Sequence, residues 1–327
     1  MLCMPTSTPP ALRAAAFAGP SAAKPRSRGD LSIAETTKLL LKGVARSAGV
    51  CGLLFATAIS TLFAQTAPEP TPTELPGAET FIYREGPVPM RLFVVKPAGW
   101  SASDHRPALI FFFGGGWTTG TPVNSVFWAK FAAELGMVGI APDYRTKGRH
   151  DVSPLFSVAD SRAAARWVQD HTGELGLDPA RIVIGGNSAG GHVALWTAIT
   201  HAPPGSDEKE SPRVKPAALI LFSTVSDTSK ETGYTPQRFG EHATALSPVH
   251  QLDARMPPVL AFHGDADKLV PLRQATALRD KLLATGNRCE LHIVPGGGHN
   301  FGNDVPEWQE KSRQLIIAFL KKQGLVD

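Results

Sequence analysis

Six short apolar runs recur along the chain: PALIFFF (107–113), MVGIAP (137–142), RIVIGG (181–186), AALILF (217–222), PPVLAFHG (257–264) and CELHIVPG (289–296). Each is nearly continuous rather than alternating, the pattern of a strand buried on both faces of a parallel sheet. Parallel neighbours need a long crossover. Amphipathic stretches at 125–135, 158–171, 189–201, 272–284 and 306–321 stand between or after the runs and supply it. Two antiparallel-looking strands, 80–84 and 90–96, precede them across a turn at 85–89. The order predicts an α/β fold with a mostly parallel, doubly wound sheet and helices on both faces. It forms one domain over 79–327, with an insertion after the sixth strand. That insertion, 223–252, is rich in Thr, Pro and His and has no clean period, so it reads as a functional loop.

The 327 residues carry a net charge of +4, and its distribution matters more than its size. Residues 1–64 hold seven Lys and Arg against Asp30 and Glu35, a net of +5, which leaves −1 for the remainder. The body therefore has no nucleic-acid footprint. Lys38, Lys42 and Arg46 precede an uncharged run, SAGVCGLLFATAISTLFA (47–64), and small residues close it. That is the order of a secretory leader, with cleavage after Ala64 or Ala67. The competing reading is an uncleaved anchor, the one route to a membrane. It needs about 20 apolar residues, and this run contains Gly, Ser and Thr. A Pro- and Thr-rich spacer fills 65–78. Cys3 and Cys51 fall in the leader, so Cys289 alone remains beyond it, read as a small apolar residue at a strand start. No Cys/His cluster has zinc spacing, and the expectation is no metal and no cofactor.

Gly186-Asn187-Ser188-Ala189-Gly190 fits G-x-S-x-G, after the strand RIVIG and before the helical AGGHVALWTAI. A serine on so tight a strand–helix turn has its hydroxyl lifted clear of the sheet, at the positive end of a helix. The competing reading is a glycine-rich turn that binds phosphate. A serine hydroxyl needs a base, itself oriented by a carboxylate, and for such a serine both follow in the chain, acid first. His299, in PGGGHNFG past the last strand, is the candidate base. Asp267, in HGDADKLVP, is the preferred acid, with Asp265 the competitor and Asp227 a distant third. Phe113-Gly114-Gly115-Gly116-Trp117 follows the strand PALIFFF, and its glycines admit a substrate oxygen close to the backbone. The N–H groups of Gly115, Gly116 and Ala189 are the candidate oxyanion donors.

Together GNSAGG, FFFGGGW, PDYR (142–145), HGDADKLVP and GGGHNFG resemble the bacterial esterase/lipase branch of the α/β-hydrolases. That branch includes hormone-sensitive-lipase-like and feruloyl- and acetyl-esterase-like enzymes. The resemblance runs from about Glu79 to the C-terminus. It implies hydrolysis of short acyl or aryl esters, with acetyl or feruloyl groups on plant carbohydrate as the substrate class. Two positions depart from the pattern. Phe113 stands where the family's HGGGW motif has His, and Asn187 where many relatives have Asp or Glu. Other functions compete: a peptidase or amidase of the same fold, or a non-catalytic binding protein that retains it. The partner expected is a small-molecule or carbohydrate ester.

Overall fold

The computed structural model describes residues 70–205 and 214–327. The leader expected over 1–64 lies outside them. An eight-stranded sheet has the order β1-β2-β4-β3-β5-β6-β7-β8. Its strands are β1 Glu79–Arg84, β2 Met90–Val95, β3 Arg106–Phe112, β4 Val138–Pro142, β5 Leu177–Asn187, β6 Ala218–Phe222, β7 Val259–Gly264 and β8 Cys289–Val294. β1 and β2 run antiparallel to their neighbours, and every pairing from β4 to β8 is parallel. All eight expected strands are present, and the sheet has the α/β-hydrolase architecture. β5 begins earlier than its apolar run suggests, because Leu177 already pairs with Arg106 of β3, ahead of an irregularity after which Ile182 pairs with Ala108.

Burial explains why the central runs are continuous. Along β3, Ala108, Ile110 and Phe112 enter one core, while Leu109 and Phe111 enter the other. β5 divides likewise, Ile182 and Ile184 against Val183. Period-two alternation thus feeds two cores, and neither face has room for a polar residue. Helices cover both faces: α1 Val126–Glu134, α2 Lys147–His150, α3 Pro154–Asp170, α4 Ala189–Ala198, α5 Arg273–Ala284, α6 Phe301–Asp304 and α7 Glu307–Lys322. The first core takes residues of α3 and α4 such as Val158 and Trp196, and the second takes Phe131 of α1 and Ile316 of α7.

The segment after β6 forms three short 3₁₀ turns, packed by Phe239, Ala243 and Leu246. Part of the Pro/Thr-rich stretch also packs: Leu75 is buried, and Thr71 Oγ1 accepts a hydrogen bond from Arg149 Nη1 at 3.0 Å. Cys289 opens β8 half-buried, and burial pushes its thiol pKa up to about 12.

This topology fixes where a site can be. The chain goes from β3 outward to β4, then returns to place β5 on the other side of β3. Such a switch point opens a crevice at the carboxyl ends of the strands. Register brings Phe112 opposite Gly186 and Asn187 opposite Phe222, so the turns after β3, β5 and β6 lie side by side there.

Candidate active site

Ser188 joins β5 to α4 with φ 55° and ψ −121°. A non-glycine residue held there stores about 1–3 kcal/mol of strain, which its surroundings must offset. Its N–H donates to Phe222 O at 2.8 Å, and its carbonyl accepts from His192 N at 3.2 Å. The flanking glycines are steric requirements. A Cβ on Gly186 would collide with Gly190 O, and one on Gly190 with the carbonyl oxygens of Phe112 and Phe113. Ala189 follows, fully buried, as the first residue of the helix, where its N–H has no intrahelical acceptor.

His299 sits on the loop between β8 and α6, and its Nδ1 is 2.8 Å from Asp267 Oδ2. The other oxygen of Asp267 accepts from Leu269 N and Val270 N, both at 2.9 Å. Burial disfavours the Asp267 carboxylate. The hydrogen bond from His299 and those from the Val270 and Leu269 backbone outweigh it and hold the pKa below the ordinary range. A fixed anion therefore faces Nδ1, which leaves Nε2 free to accept a proton. Asp265 lies apart from the imidazole: its Oδ1 accepts from Gly296 N at 2.7 Å and ties one loop to the other. Asp227 belongs to a separate network with Ser229, Thr232 and Ser247.

The loop after β3 has its own supports. Gly115 has φ 120° and Gly116 φ 60°, and Gly115 O accepts from the N–H groups of Thr118 and Thr119, each at 3.0 Å. A side chain on Gly115 would strike Thr119 O. Phe113, where the resembled family carries His, stacks on Tyr144 with centroids 4.1 Å apart and planes at 7°. Tyr144 Oη donates to Phe113 O at 2.7 Å. The aromatic pair thus anchors the start of the glycine loop through a main-chain bond. Asn187, the other departure, packs its amide against Gly114, where an added Cβ would lie 2.7 Å from Nδ2.

Gly115, Gly116, Asn187, Ser188 and His299 line one open cleft of about 1110 Å³. Phe127, Trp128 and Leu269 give it apolar walls, and Asn124, Asn300 and Asn303 add neutral polar groups. Such a site can hold an uncharged carbonyl beside a hydroxyl, an imidazole and backbone donors. Three contributors have no signature in the sequence. Ser223 Oγ donates to His299 O at 3.0 Å, Arg238 Nη1 donates to Gly116 O at 2.8 Å, and buried His263 places Nε2 3.4 Å from Asp267 Oδ2. From the insertion, Tyr234 and Arg238 are lining residues, whereas its histidines, His242 and His250, are not.

The BD-FAE family profile matches residues 97–282. The chain is 31% identical over 246 residues to the carboxylesterase NlhH of Mycobacterium tuberculosis, covering 66% of this chain and 73% of that protein. It is 32% identical over 196 residues to the probable carboxylic ester hydrolase LipM of the same organism, covering 54% of this chain but only 44% of LipM. Among solved structures, the apo form of Thermogutta terrifontis esterase 2 superposes with a TM-score of 0.71 at 37% identity, over 79% of this chain and 99% of that one. With the profile spanning over half of the chain, the protein belongs to the BD-FAE family, within the esterase/lipase branch of the α/β-hydrolases.

Proposed function

We propose that the chain is a serine carboxylic-ester hydrolase with Ser188 as nucleophile, His299 as general base and acid, and Asp267 as the carboxylate that orients it. The observation that carries this is the Asp267–His299 hydrogen bond at 2.8 Å, on the rim of the cleft that Ser188 also lines. Ser188 Oγ attacks the ester carbonyl while His299 Nε2 takes the hydroxyl proton. The carbonyl oxygen becomes an oxyanion, met by the N–H groups of Gly115, Gly116 and Ala189. Collapse breaks the bond to the alcohol, which leaves with the proton returned by His299. Water, deprotonated by the same imidazole, then attacks the acyl-enzyme and releases the acid.

Short acyl or aryl esters are the substrate class, with acetylated and feruloylated sugars as the natural compounds to screen. The cleft volume supports an aromatic or sugar-sized ester, since ligand sites commonly span about 300–1,000 Å³. Esterase 2 of Thermogutta terrifontis, solved with propionate and with butyrate bound, supports short acyl chains. Labelling with a fluorophosphonate probe, together with turnover of a panel of esters and aminoacyl amides, tests the reading. Ser188→Ala should abolish both labelling and turnover in a protein that still folds. Retention of a tenth or more of kcat would remove Ser188 from the role.

The reading includes export, with a mature chain that begins near Gln65. The positive, apolar, small-residue order of 38–64 supports it. Mass spectrometry of the protein from its native host should find that start, and an intact segment 2–64 would rule out cleavage.

A further inference from the structure

The charged side chains that line the cleft, His299 apart, are of one sign. Arg238 and Arg313 contribute to its wall, and among the described residues no Asp or Glu does. The two arginines differ in their engagement. Arg313 Nη2 lies 4.0 Å from Glu134 Oε2, and its guanidinium sits 4.7 Å over the Phe131 ring. Arg238 is exposed at the rim, with one Nη1 bond to Gly116 O at 2.8 Å. Its neighbour in sequence, Glu241, faces His242 instead, at 3.7 Å. Among the described residues no carboxylate pairs with Arg238. Its bond to Gly116 occupies one of five N–H donors in a planar fork that suits a carboxylate.

We propose that Arg238 recognises a carboxylate on the substrate, so that the cleft selects esters whose alcohol or acyl part is itself an acid. This rests on the ester-hydrolase reading of the same site. Gly116 joins the two halves of the argument: its N–H serves the oxyanion and its carbonyl holds Arg238. A carboxylate bound to that guanidinium therefore lies about one aromatic ring from the reacting carbonyl. A doubly charged phosphate would call for a second cation, and Arg313 is already opposed by Glu134. The amides of Asn124 and Asn300 on the same walls can hydrogen-bond an acid without repelling it.

Two substrate pairs test this on the full-length protein. The first is 4-acetoxybenzoate against 4-acetoxybenzamide, with the charge on the alcohol side. The second is monomethyl glutarate against its carbamoyl analogue, with the charge on the acyl side. In at least one pair the acid should be preferred about five- to tenfold in kcat/KM, mostly through KM, as a rim-exposed charge contact allows. Raising the salt to 0.5 M should shrink that preference. Arg238→Gln should erase it, Arg238→Lys should keep part of it, and Arg313→Gln should leave it. Because Arg238 also holds Gly116, kcat is expected to fall for every ester in the Arg238 variants, and the acid-to-amide ratio is the quantity read. Absence of any preference in the wild type, its survival in Arg238→Gln, or its loss in Arg313→Gln alone would overturn the assignment. Turnover of the neutral esters without preference for the acids removes the inference and leaves the hydrolase intact. Failure to turn over any of the four removes both.

Discussion

Asp265 and Asp267 stand two residues apart on one loop, yet their bonding separates them. Asp267 faces His299 and is held by two backbone N–H groups, whereas Asp265 bonds the backbone of Gly296. Loss of the charge at Asp267 leaves the imidazole in the wrong tautomer. Removal of the equivalent carboxylate in a serine protease lowers kcat about 10⁴-fold. Asp267→Asn is therefore expected to lose orders of magnitude in kcat with little change in fold, and Asp265→Asn far less. Both are to be measured on one ester, and an inactive Asp265→Asn beside an active Asp267→Asn would reverse the assignment. The sequence exposes residues of this kind because loop chemistry after a strand is local: Ser188, Asp267 and His299 each sit in a glycine-marked turn. Arg238 and Ser223 were not legible. Their partners are main-chain oxygens 122 and 76 positions away, and a bond to a carbonyl leaves no trace in residue type.

At the scale of elements, the strands were legible because burial on both faces forces continuous apolar runs. Helix α4 shows the limit of periodicity. Every residue of Ala189–Ala198 is buried, so no polar face marks it, and only the elbow sequence before it betrays its start. The insertion defeats periodicity for the opposite reason: its core contacts come from scattered residues such as Phe239, Ala243 and Leu246, which lie between and beside the 3₁₀ turns. The α4–β3 contact yields a prediction about sign. Within a helix, Gly→Ala ordinarily gains up to about 1 kcal/mol. At Gly190 the new methyl would meet the carbonyl oxygens of Phe112 and Phe113, main-chain atoms that cannot rotate away. Overpacking typically costs about 1–3 kcal/mol. Gly190→Ala should therefore destabilise the fold by a net of about 1 kcal/mol, read as a lower urea midpoint at unchanged m-value, and a raised midpoint would refute the contact.

At the scale of the whole molecule, the buried titratable groups set how stability responds to pH. His192, on α4 behind the elbow, is fully buried with Nε2 2.9 Å from Leu246 O, beside the rings of Trp117 and Phe239. Burial lowers its pKa from 6.5 to about 4, only partly opposed by the Leu246 bond. Burial also lowers His263, against the opposing pulls of Val270 O and Asp267. In each case the unfolded chain binds a proton at a pH where the native protein does not. By linkage, stability then rises with pH across that interval and falls on acidification. The contribution of His192 is complete above its unfolded value near 6.5, is lost as pH falls toward 4, and is then constant. At 1.36 kcal/mol per pH unit that amounts to roughly 3 kcal/mol. The depressed carboxylates Asp227 and Asp267 act in the same direction but lower, below about pH 4, where unfolded carboxyls protonate. Urea denaturation between pH 4 and 8 should therefore show a midpoint that climbs to about pH 6.5 and then levels. His192→Gln, which cannot titrate, should be less stable near pH 7 but should climb less steeply between pH 4 and 6.5. Equal slopes for the two proteins would mean that His192 takes up its proton in the native state, and would contradict a dry, neutral imidazole behind the elbow.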